Sequence, residues 1–346
     1  MAEQILDVAS FIRLIREHQS FGITTHVNPD GDALGSEIGL AEWLLSIGKS
    51  VRVINHSPTP YNYMFFDEER PIIEQHDPQK HEGIVHGVDV ILVLDVNDPE
   101  RTRSLGKYLT GGTQHVAVID HHLNPKPFAK EYFLDTDASS TGEMIVRLVR
   151  AAQPELGGTI SKKAANALYV AIMTDSGSFR FPRTDSELLR MCADLIDLGA
   201  DPVRTYHEVY NTSPAGRLLL LRDALNSLEY HYDGHMAFQC IMQAQLHAAN
   251  ADEEDVDGFV QMPFQVGGIV LSVFLLELKE GWKISTRSKD PVSAAMFAQS
   301  FGGNGHFNAA GARVHGEHTL AEMHERIVAN AETVLAAAGL LTPQAA

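Results

Sequence analysis

The stretch Thr25–Gly35 holds the residues best suited to chemistry in this sequence. It reads Thr-His-Val-Asn-Pro-Asp-Gly-Asp-Ala-Leu-Gly, so His26, Asp30 and Asp32 lie close together in the chain. Two carboxylates two residues apart, with an imidazole nearby, suit a divalent metal ion that accepts oxygen and nitrogen ligands. Asn, Pro, Asp and Gly are also the usual turn residues, so a capped Pro-Asp-Gly turn explains the same stretch. Taken alone, the stretch leaves both interpretations open.

Three further groups of polar residues follow apolar segments downstream. Each group by itself has an ordinary explanation as a turn or a helix cap. These ordinary explanations are unlikely to hold for all three groups at once, because two adjacent histidines after an aspartate are unusual in a hydrophobic core. Neighbouring side chains at a strand end diverge, so one imidazole can bind metal while the other faces a substrate. The groups are Asp95 after the run from Val88, Asp120-His121-His122 after the run from His115, and Asp175 after the helical pattern Ser161–Met173.

These groups together supply enough ligands for two metal ions. Two ions about 3.5–4 Å apart share one carboxylate and can hold a bridging hydroxide between them. Four carboxylates would offset most of the charge of the ions, and the histidines favour Mn²⁺ over Mg²⁺. The predicted ligands are His26, Asp30, Asp32, Asp95, His121 and Asp175.

Strand-like and helical patterns alternate from residue 21 to about residue 175, which indicates an α/β fold. The strand-like runs are nearly continuous in apolar residues, as in a parallel sheet that is covered on both faces. The predicted strands are Phe21–Val27, Val51–Ile54, Val88–Asp95 and His115–Asp120, and the predicted helices are Leu34–Ile47, Ser139–Ala152 and Ser161–Met173.

The second half of the chain changes pattern twice. From residue 185 to about 228, helix follows helix without a strong strand, which is typical of a connector between two lobes. We therefore expect a first domain at 1–190, a helical linker at 191–228 and a smaller α/β domain at 229–346. The smaller domain is predicted to contain strands at Ala237–Met242, Gly268–Leu278 and Trp282–Arg287, helices at Val292–Phe301 and Leu320–Ala338, and a glycine-rich loop between these helices.

Composition restricts the partners. The net charge of −18 argues against a protein that grips long duplex nucleic acid, although metal ions could still bring in a small anionic substrate. The longest apolar run is shorter than the ~20 residues that span a bilayer, so no membrane partner is expected. Gln4–Arg16 mixes charges into a helical pattern, unlike a secretory signal. The two cysteines, Cys192 and Cys240, lack metal-type spacing, which favours a reducing cytoplasm.

The ordered polar groups resemble the four motifs of the DHH phosphoesterase family. A glycine-rich segment near the end, Gly302–Gly311, resembles the signature of the DHH-associated C-terminal domain, so the resemblance runs from about residue 20 to the end of the chain. It implies two lobes that face each other across an active-site cleft, with a dinuclear manganese centre on the first. The matching residues in the first lobe are His26-Val-Asn-Pro-Asp30-Gly-Asp32, Asp95, Asp120-His121-His122 and Asp175.

The resemblance also implies how the ligands divide between the ions. Asp95 would bridge the two ions, because it belongs to both ligand sets. One ion would be held by His26, Asp30 and Asp95, and the other by Asp32, Asp95, His121 and Asp175.

The remaining two residues of the motifs are implied to be catalytic. Asp120 would orient the histidines, a role that fixes imidazole tautomers in metal sites generally. His122 would contact the scissile phosphate or help to protonate the leaving oxygen. A metal-bridging hydroxide would attack phosphorus in line, with both ions stabilising the developing charge.

Substrate contacts are expected mainly from the second lobe. Glycines let backbone N–H groups approach a phosphate closely, and here Asn304 stands where many relatives have another glycine. Arg287 and His306 would grip a terminal phosphate or stack on a base; Arg180 is as compatible with a surface salt bridge as with a phosphate contact. The predicted substrate-binding residues are Arg287, Gly303, Asn304, Gly305, His306 and Arg180. Arg101 and Arg103 are expected to be structural or solvated, and the other histidines, including His56, His81, His86 and His315, are expected at the surface.

The resemblance implies a stand-alone enzyme that acts on small nucleotide substrates. The sequence is similar to members of the DHH family that cut RNAs of two to five nucleotides to mononucleotides and that remove the 3′-phosphate from 3′-phosphoadenosine 5′-phosphate. Hydrolysis of cyclic di-AMP or of its linear product pApA remains an alternative. A non-catalytic nucleotide-binding module would have lost a metal ligand, and all of the ligands are present. An exposed helix is expected to pair in a homodimer.

Overall fold

The chain divides into two compact units, Met1–Thr212 and Ser213–Ala346. The computed structural model describes residues 7–66, 68, 70–111, 114–305 and 307–341. The boundary between the units falls within the segment 191–228, so the helices of this segment are divided between them. The role of that segment as a linker stays a prediction.

The first unit contains the parallel sheet that the apolar runs predict. Its strands are β1 (Ser20–Thr24), β2 (Ser50–Asn55), β3 (Ile73–Gln75), β4 (Val90–Leu94), β5 (His115–Asp120) and β6 (Glu131–Leu134). They pair in the order β3-β2-β1-β4-β5-β6, and every neighbouring pair is parallel. The strand order reverses between β1 and β4. In open α/β sheets such a switch point opens a crevice at the carboxyl ends of the strands, where ligands bind.

Helices cover both faces of this sheet. In β4, Val90, Leu92 and Leu94 pack into one buried core, and Ile91 and Val93 pack into another. This alternation explains why the strand is apolar throughout. The helices are α1 (Val8–Glu17), α2 (Gly31–Ser46), α3 (Pro78–Gly87), α4 (Gly106–Thr110), α5 (Thr141–Leu156), α6 (Lys162–Asp175), α7 (Ser186–Asp197) and α8 (Pro202–Tyr210), with 3-10 turns at Tyr61–Phe66 and Pro99–Leu105.

Helices α2 and α6 approach each other unusually closely. A Cβ atom on Gly35 would lie 2.3 Å from the Ala167 carbonyl oxygen and 2.9 Å from Ala171 Cβ. A Cβ atom on Gly31, one turn earlier, would lie 2.5 Å from Thr174 Oγ1. Only glycine fits where neighbouring atoms come this close. Since α2 begins next to Asp30 and α6 ends at Asp175, this packing brings the two ends of the predicted metal site together.

We expect Gly35→Ala to lower the free energy of unfolding by about 1–3 kcal/mol, because the added methyl group forces the two helices apart. Gly83→Ala is the matched control, since Gly83 lies in α3 and a Cβ there would meet nothing within 4 Å. The control should retain or gain stability, because alanine favours helix. Urea denaturation of both variants measures the difference, and equal stabilities would contradict the close packing.

The second unit has a mixed sheet. Its strands are β7 (Glu229–His231), β8 (Met236–Ile241), β9 (Leu271–Glu277), β10 (Trp282–Ser288), β11 (Asn304–Gly305) and β12 (Ala309–Val314). They pair in the order β11-β12-β10-β9-β8-β7, with β8 and β9 parallel and the other pairs antiparallel. The helices are α9 (Ala215–Asn226), α10 (Gln243–Ala249), α11 (Ala294–Gln299) and α12 (Leu320–Ala337), with 3-10 turns at Glu253–Val256 and Phe259–Gln265.

Two expectations about local structure are wrong. Much of the predicted glycine-rich loop is strand, because β11 pairs with β12; a Cβ on Gly303 would lie 2.2 Å from the Gly311 carbonyl oxygen. His81, expected at the surface, is buried. Asp77 N–H donates to its Nδ1 at 2.9 Å, and its Nε2 lies 3.2 Å from Glu74.

Within the described part of the chain, no helix combines the length and apolar character needed to cross a bilayer.

Candidate metal centre

All six predicted ligands converge at the carboxyl ends of the strands in the first unit. His26 follows β1, Asp95 follows β4 and His121 follows β5, so the switch point of the sheet lies under the site. Asp30 and Asp32 stand at the start of α2, and Asp175 ends α6. The candidate ligand atoms form three groups, each within 4.8 Å: His26, Asp30 and Asp95; Asp32, His121 and Asp175; and Asp95, His121 and His122.

Asp95 belongs to two of these groups through different oxygens. Its Oδ2 lies 3.4 Å from His26 Nε2, and its Oδ1 lies 3.6 Å from His121 Nε2. The residue adopts a φ of 60°, which costs a non-glycine residue about 1–3 kcal/mol and is found mostly where function requires it. Its carboxylate therefore has the orientation that one ligand shared between two ions needs.

Backbone carbonyls orient both histidines. His26 Nδ1 lies 2.9 Å from the Val27 oxygen, and His121 Nδ1 lies 3.3 Å from the Ala138 oxygen. When Nδ1 donates a proton to a carbonyl, Nε2 carries the lone pair that binds metal. His26 Nε2 is buried and forms no hydrogen bond. A metal ion would satisfy this atom, so the donor set fits a divalent cation.

The N-terminus of α5 holds the buried Asp32. The backbone N–H of Thr141 donates to Asp32 Oδ2 at 2.8 Å, and that of Gly142 donates to Oδ1 at 2.9 Å. Burial, followed by the charges of Asp95 and Asp175, still raises the pKa of Asp32 well above its usual value. Nearby divalent cations would remove this penalty by offsetting the negative charge.

Asp30 combines a structural position with a second oxygen that faces the ligands. Its Oδ1 accepts hydrogen bonds from the N–H groups of Asp32 and Ala33, both at 3.1 Å, and so caps α2. Its Oδ2 lies 3.9 Å from His26 Nε2. The turn interpretation of the Pro-Asp-Gly stretch therefore holds for one oxygen, and the other oxygen is placed to bind metal.

Asp120 and His122 form a close pair beside the ligands. His122 Nδ1 donates to Asp120 Oδ1 at 2.7 Å, and Asp120 is fully buried. Burial opposes protonation of His122, but the hydrogen bond to Asp120 and the charge of Asp95 raise its pKa to about 9. In the protein without metal, His122 is thus largely protonated at neutral pH. The rings of His121 and His122 meet edge-on, with centroids 4.8 Å apart and planes at 67°.

Several residues at the centre were missed in the sequence. Thr141 Oγ1 donates to Asp95 Oδ1 at 3.0 Å, and Arg183 shares the Ala138 carbonyl oxygen with His121. Burial lowers the pKa of His122, and the positive charge of Arg101 lowers it further. The Arg101 guanidinium is therefore close enough to act electrostatically on His122. Backbone donors and a lone arginine after a strand carry no pattern that would have identified them.

The predicted substrate-binding residues lie apart in the chain. Arg287 lies near the end of β10 and lines a small cavity of about 40 Å³ together with Asp257, Lys283 and Ser285. Burial lowers the pKa of the Arg287 guanidinium. Arg180 is exposed in the first unit, and its Nε donates to the Gly177 carbonyl oxygen at 2.7 Å. Gly303, Asn304 and Gly305 lie at or in β11, and His306 lies outside the described residues.

Asp175→Asn is expected to change the pH dependence of stability in protein without metal. Burial, followed by the charges of Asp95 and Asp30 and opposed by His121, raises the pKa of Asp175 to about 6 from its ordinary value of 3.8. The protonated carboxyl of the wild type therefore contributes to the free energy of unfolding in full below about pH 4. This contribution is lost as the pH rises through about 6 and the carboxyl becomes charged. Because the side chain is 37% exposed, the variant should gain no more than about 1 kcal/mol on the wild type across this range.

Urea denaturation in a chelator at about pH 4.5 and about pH 7.5 measures this difference. In saturating Mn²⁺ the order should reverse, because the wild type gains a ligand that binds only the folded state. A difference that does not change with pH in the chelator would contradict the electrostatic account of Asp175.

Comparison with known proteins identifies relatives of the chain. The model of the DHH family, N-terminal domain, matches residues 20–172. A bifunctional oligoribonuclease and PAP phosphatase NrnA from Thermus thermophilus is 32% identical over 92% of this chain and 91% of its own length. Its namesake from Bacillus subtilis is 26% identical over 93% of this chain and 97% of its own length. The crystal structure of an exopolyphosphatase-related protein from Bacteroides fragilis superposes with a TM-score of 0.86 at 27% identity, covering 97% of this chain and 98% of that one.

Proposed function

The chain belongs to the DHH family, and we propose that it hydrolyses short oligoribonucleotides to mononucleotides and also dephosphorylates 3′-phosphoadenosine 5′-phosphate. The observation that carries this proposal is the position of Asp95, whose two oxygens face two separate histidines at 3.4 and 3.6 Å. A carboxylate shared in this way is the central element of a two-metal phosphoesterase site. The relatives named for both activities match the chain over almost its whole length.

Two divalent ions fit the donor set, and Mn²⁺ is the ion we propose. Imidazole and carboxylate ligands together favour Mn²⁺ over Mg²⁺, which prefers oxygen and retains its water. When bound, the ions supply an activated water as nucleophile and stabilise the negative charge that develops around phosphorus. His26, Asp30 and Asp95 would hold one ion, and Asp32, Asp95, His121 and Asp175 the other.

The neighbouring residues would act on the substrate directly. The hydrogen bond to Asp120 raises the pKa of His122, so its imidazole would bind a phosphate oxygen and would give a proton to the leaving oxygen. The fully buried Asp120 holds the ring of His122 through Nδ1 and so fixes the direction in which its other nitrogen can act. The charge of Arg101 adds to the attraction for an anionic substrate.

The second unit would contribute contacts to the rest of a small nucleotide. Partial burial makes Arg287 a stronger partner for a phosphate, since charged hydrogen bonds gain strength away from water. Arg180, Gly303, Asn304, Gly305 and His306 complete the proposed contacts. Short RNA would be the substrate, and the enzyme would act as a homodimer. The free cysteines Cys192 and Cys240 fit a reducing cytoplasm.

Hydrolysis of a 5′-labelled RNA dinucleotide by chelator-treated protein, with Mn²⁺ or Mg²⁺ added back, tests the proposal. 3′-Phosphoadenosine 5′-phosphate and cyclic di-AMP are run beside it. We expect rapid release of mononucleotide with Mn²⁺ and release of phosphate from the bisphosphate. Turnover of cyclic di-AMP alone would replace the proposal by degradation of a cyclic dinucleotide. No turnover of any of the three by metal-loaded protein would indicate a nucleotide-binding module.

A further inference from the structure

A second cluster of metal-type ligands lies in the second unit. Glu229 and His231 are on β7, and His324 is in the second turn of α12. One ligand atom from each of the three lies within 4.8 Å of the others. His324 Nε2 is 2.9 Å from Glu229 Oε2, and His231 Nε2 is 3.3 Å from the same oxygen. None of these residues belongs to the centre in the first unit.

The fold explains why the three side chains meet. Residues two apart in a strand share one face, so Glu229 and His231 project to the same side of β7. Glu229 lies opposite Phe238 of β8, and the Phe238 ring packs edge-on against His324 with centroids 4.8 Å apart. A hydrogen bond from Tyr232 to the Val328 carbonyl oxygen at 2.7 Å fixes the strand end to the helix. The cluster is therefore a product of the packing of α12 against this edge of the sheet.

A hydrogen-bonded pair does not account for the whole cluster. Glu229 accepts from one histidine, His324, with good geometry. His231 Nε2 lies almost as close to that oxygen, yet the atom is buried and forms no hydrogen bond. A polar atom in this position loses its hydration without compensation, at a cost of about 1–3 kcal/mol. A cation bound between the three ligands would accept the lone pair of His231 Nε2.

We propose that Glu229, His231 and His324 form a zinc site. Zn²⁺ binds imidazole nitrogen and carboxylate oxygen at about 2.0–2.2 Å, and at the tetrahedral angle such ligands stand roughly 3.4 Å apart. The two separations from Glu229, 2.9 and 3.3 Å, are close to this value, and all three ligand atoms lie within 4.8 Å of one another. Two nitrogens and one oxygen also match the ligand preference of zinc rather than that of Mg²⁺ or Ca²⁺.

The site would join the first strand of the second unit to its last helix. Glu229 and His324 are 95 residues apart in the chain, so one ion would close most of the unit into a loop. The Glu229 side chain is 53% exposed, which gives the ion a path from solvent and leaves the fourth position for water. Binding of zinc to the folded state alone stabilises it by mass action.

Zinc content and melting temperature of the full chain test the proposal. Chelator-treated protein is dialysed against Zn²⁺ and zinc is counted by inductively coupled plasma mass spectrometry. Because the ligands of the first unit would also bind zinc, the test is the difference: we expect the wild type to hold one zinc ion more per chain than His324→Ala or Glu229→Gln. The control His247→Ala removes an exposed histidine of the same unit and should match the wild type. Zn²⁺ should raise the melting temperature by roughly 5 °C more in the wild type and control than in the two variants.

A second pair of proteins separates this site from the centre in the first unit. Adding His324→Ala to an Asp95→Asn background should still remove one zinc ion per chain. Glu229→Gln keeps the size of an exposed side chain, so it decides the question if His324→Ala does not fold. Equal zinc content in wild type, Glu229→Gln and His324→Ala would overturn the proposal, as would equal melting shifts.

Discussion

Asp95→Asn is expected to lower the rate of metal-dependent phosphoester hydrolysis by about 10³-fold or more. The substitution removes the one charge that both ligand groups share, and the remaining ligands cannot hold two ions at a fixed separation. Loss of a single stabilising group in an electrostatic active site already costs about 10²–10³-fold. The rate with a 5′-labelled dinucleotide and the manganese content per chain are the measurements.

Asparagine is the replacement that least disturbs the fold at this position. It tolerates the φ of 60°, since Asn is among the residues that enter the left-handed region most readily. Its side-chain oxygen can also accept the hydrogen bond that Thr141 Oγ1 gives to Asp95 at 3.0 Å. A lost activity therefore reports on the ions rather than on unfolding.

Asp98→Asn is the matched control for this variant. Asp98 follows the same strand, caps a 3-10 turn through Glu100 N–H and pairs with Lys126 at 2.7 Å, and it belongs to none of the ligand groups. We expect its activity to stay within about threefold of the wild type, because a surface ion pair contributes little. Equal losses in the two variants, or full manganese content in Asp95→Asn, would contradict the role proposed for Asp95.

The fold of the first unit could be predicted because its sheet is parallel. Strands buried on both faces are apolar throughout, so β4 and β5 stand out, and β5 matches its predicted bounds. The polar residue after each such strand must then lie at one edge of the sheet. This is why ligands scattered from His26 to Asp175 could be grouped before their distances were known. The short strands β3 and β6 were missed, since three or four residues carry no usable period.

The contacts that backbone groups make to the site could not be predicted from the sequence. The N–H groups of Thr141 and Gly142 hold Asp32, and carbonyl oxygens of Val27 and Ala138 orient the histidines. Any residue type offers these groups, so nothing in a single sequence distinguishes them. The cluster at Glu229 escaped for a different reason, because its residues are adjacent only through the packing of a strand on a distant helix.

His122→Ala is expected to lower kcat by about 10²–10⁴-fold while the protein keeps its full complement of metal. His122 is the imidazole beside the ligands with its own carboxylate partner, Asp120, which holds its pKa at about 9 against the effect of burial. A cation of this kind can bind the phosphate, give a proton to the leaving oxygen, or do both. His56→Ala, which removes a partly buried histidine bonded to Ser104, is the control and should retain activity.

Two substrates separate these roles of His122. A dinucleotide expels a ribose oxygen, which needs a proton, whereas a nitrophenyl ester of a nucleotide expels a stable anion, which does not. If His122 is the acid, the variant should recover at least about 10-fold in relative rate on the nitrophenyl ester. If it binds phosphate, both substrates should suffer equally, with a rise in KM. Unchanged kinetics on both would show that His122 takes no part in the reaction, and that the charge held there by Asp120 serves the fold alone.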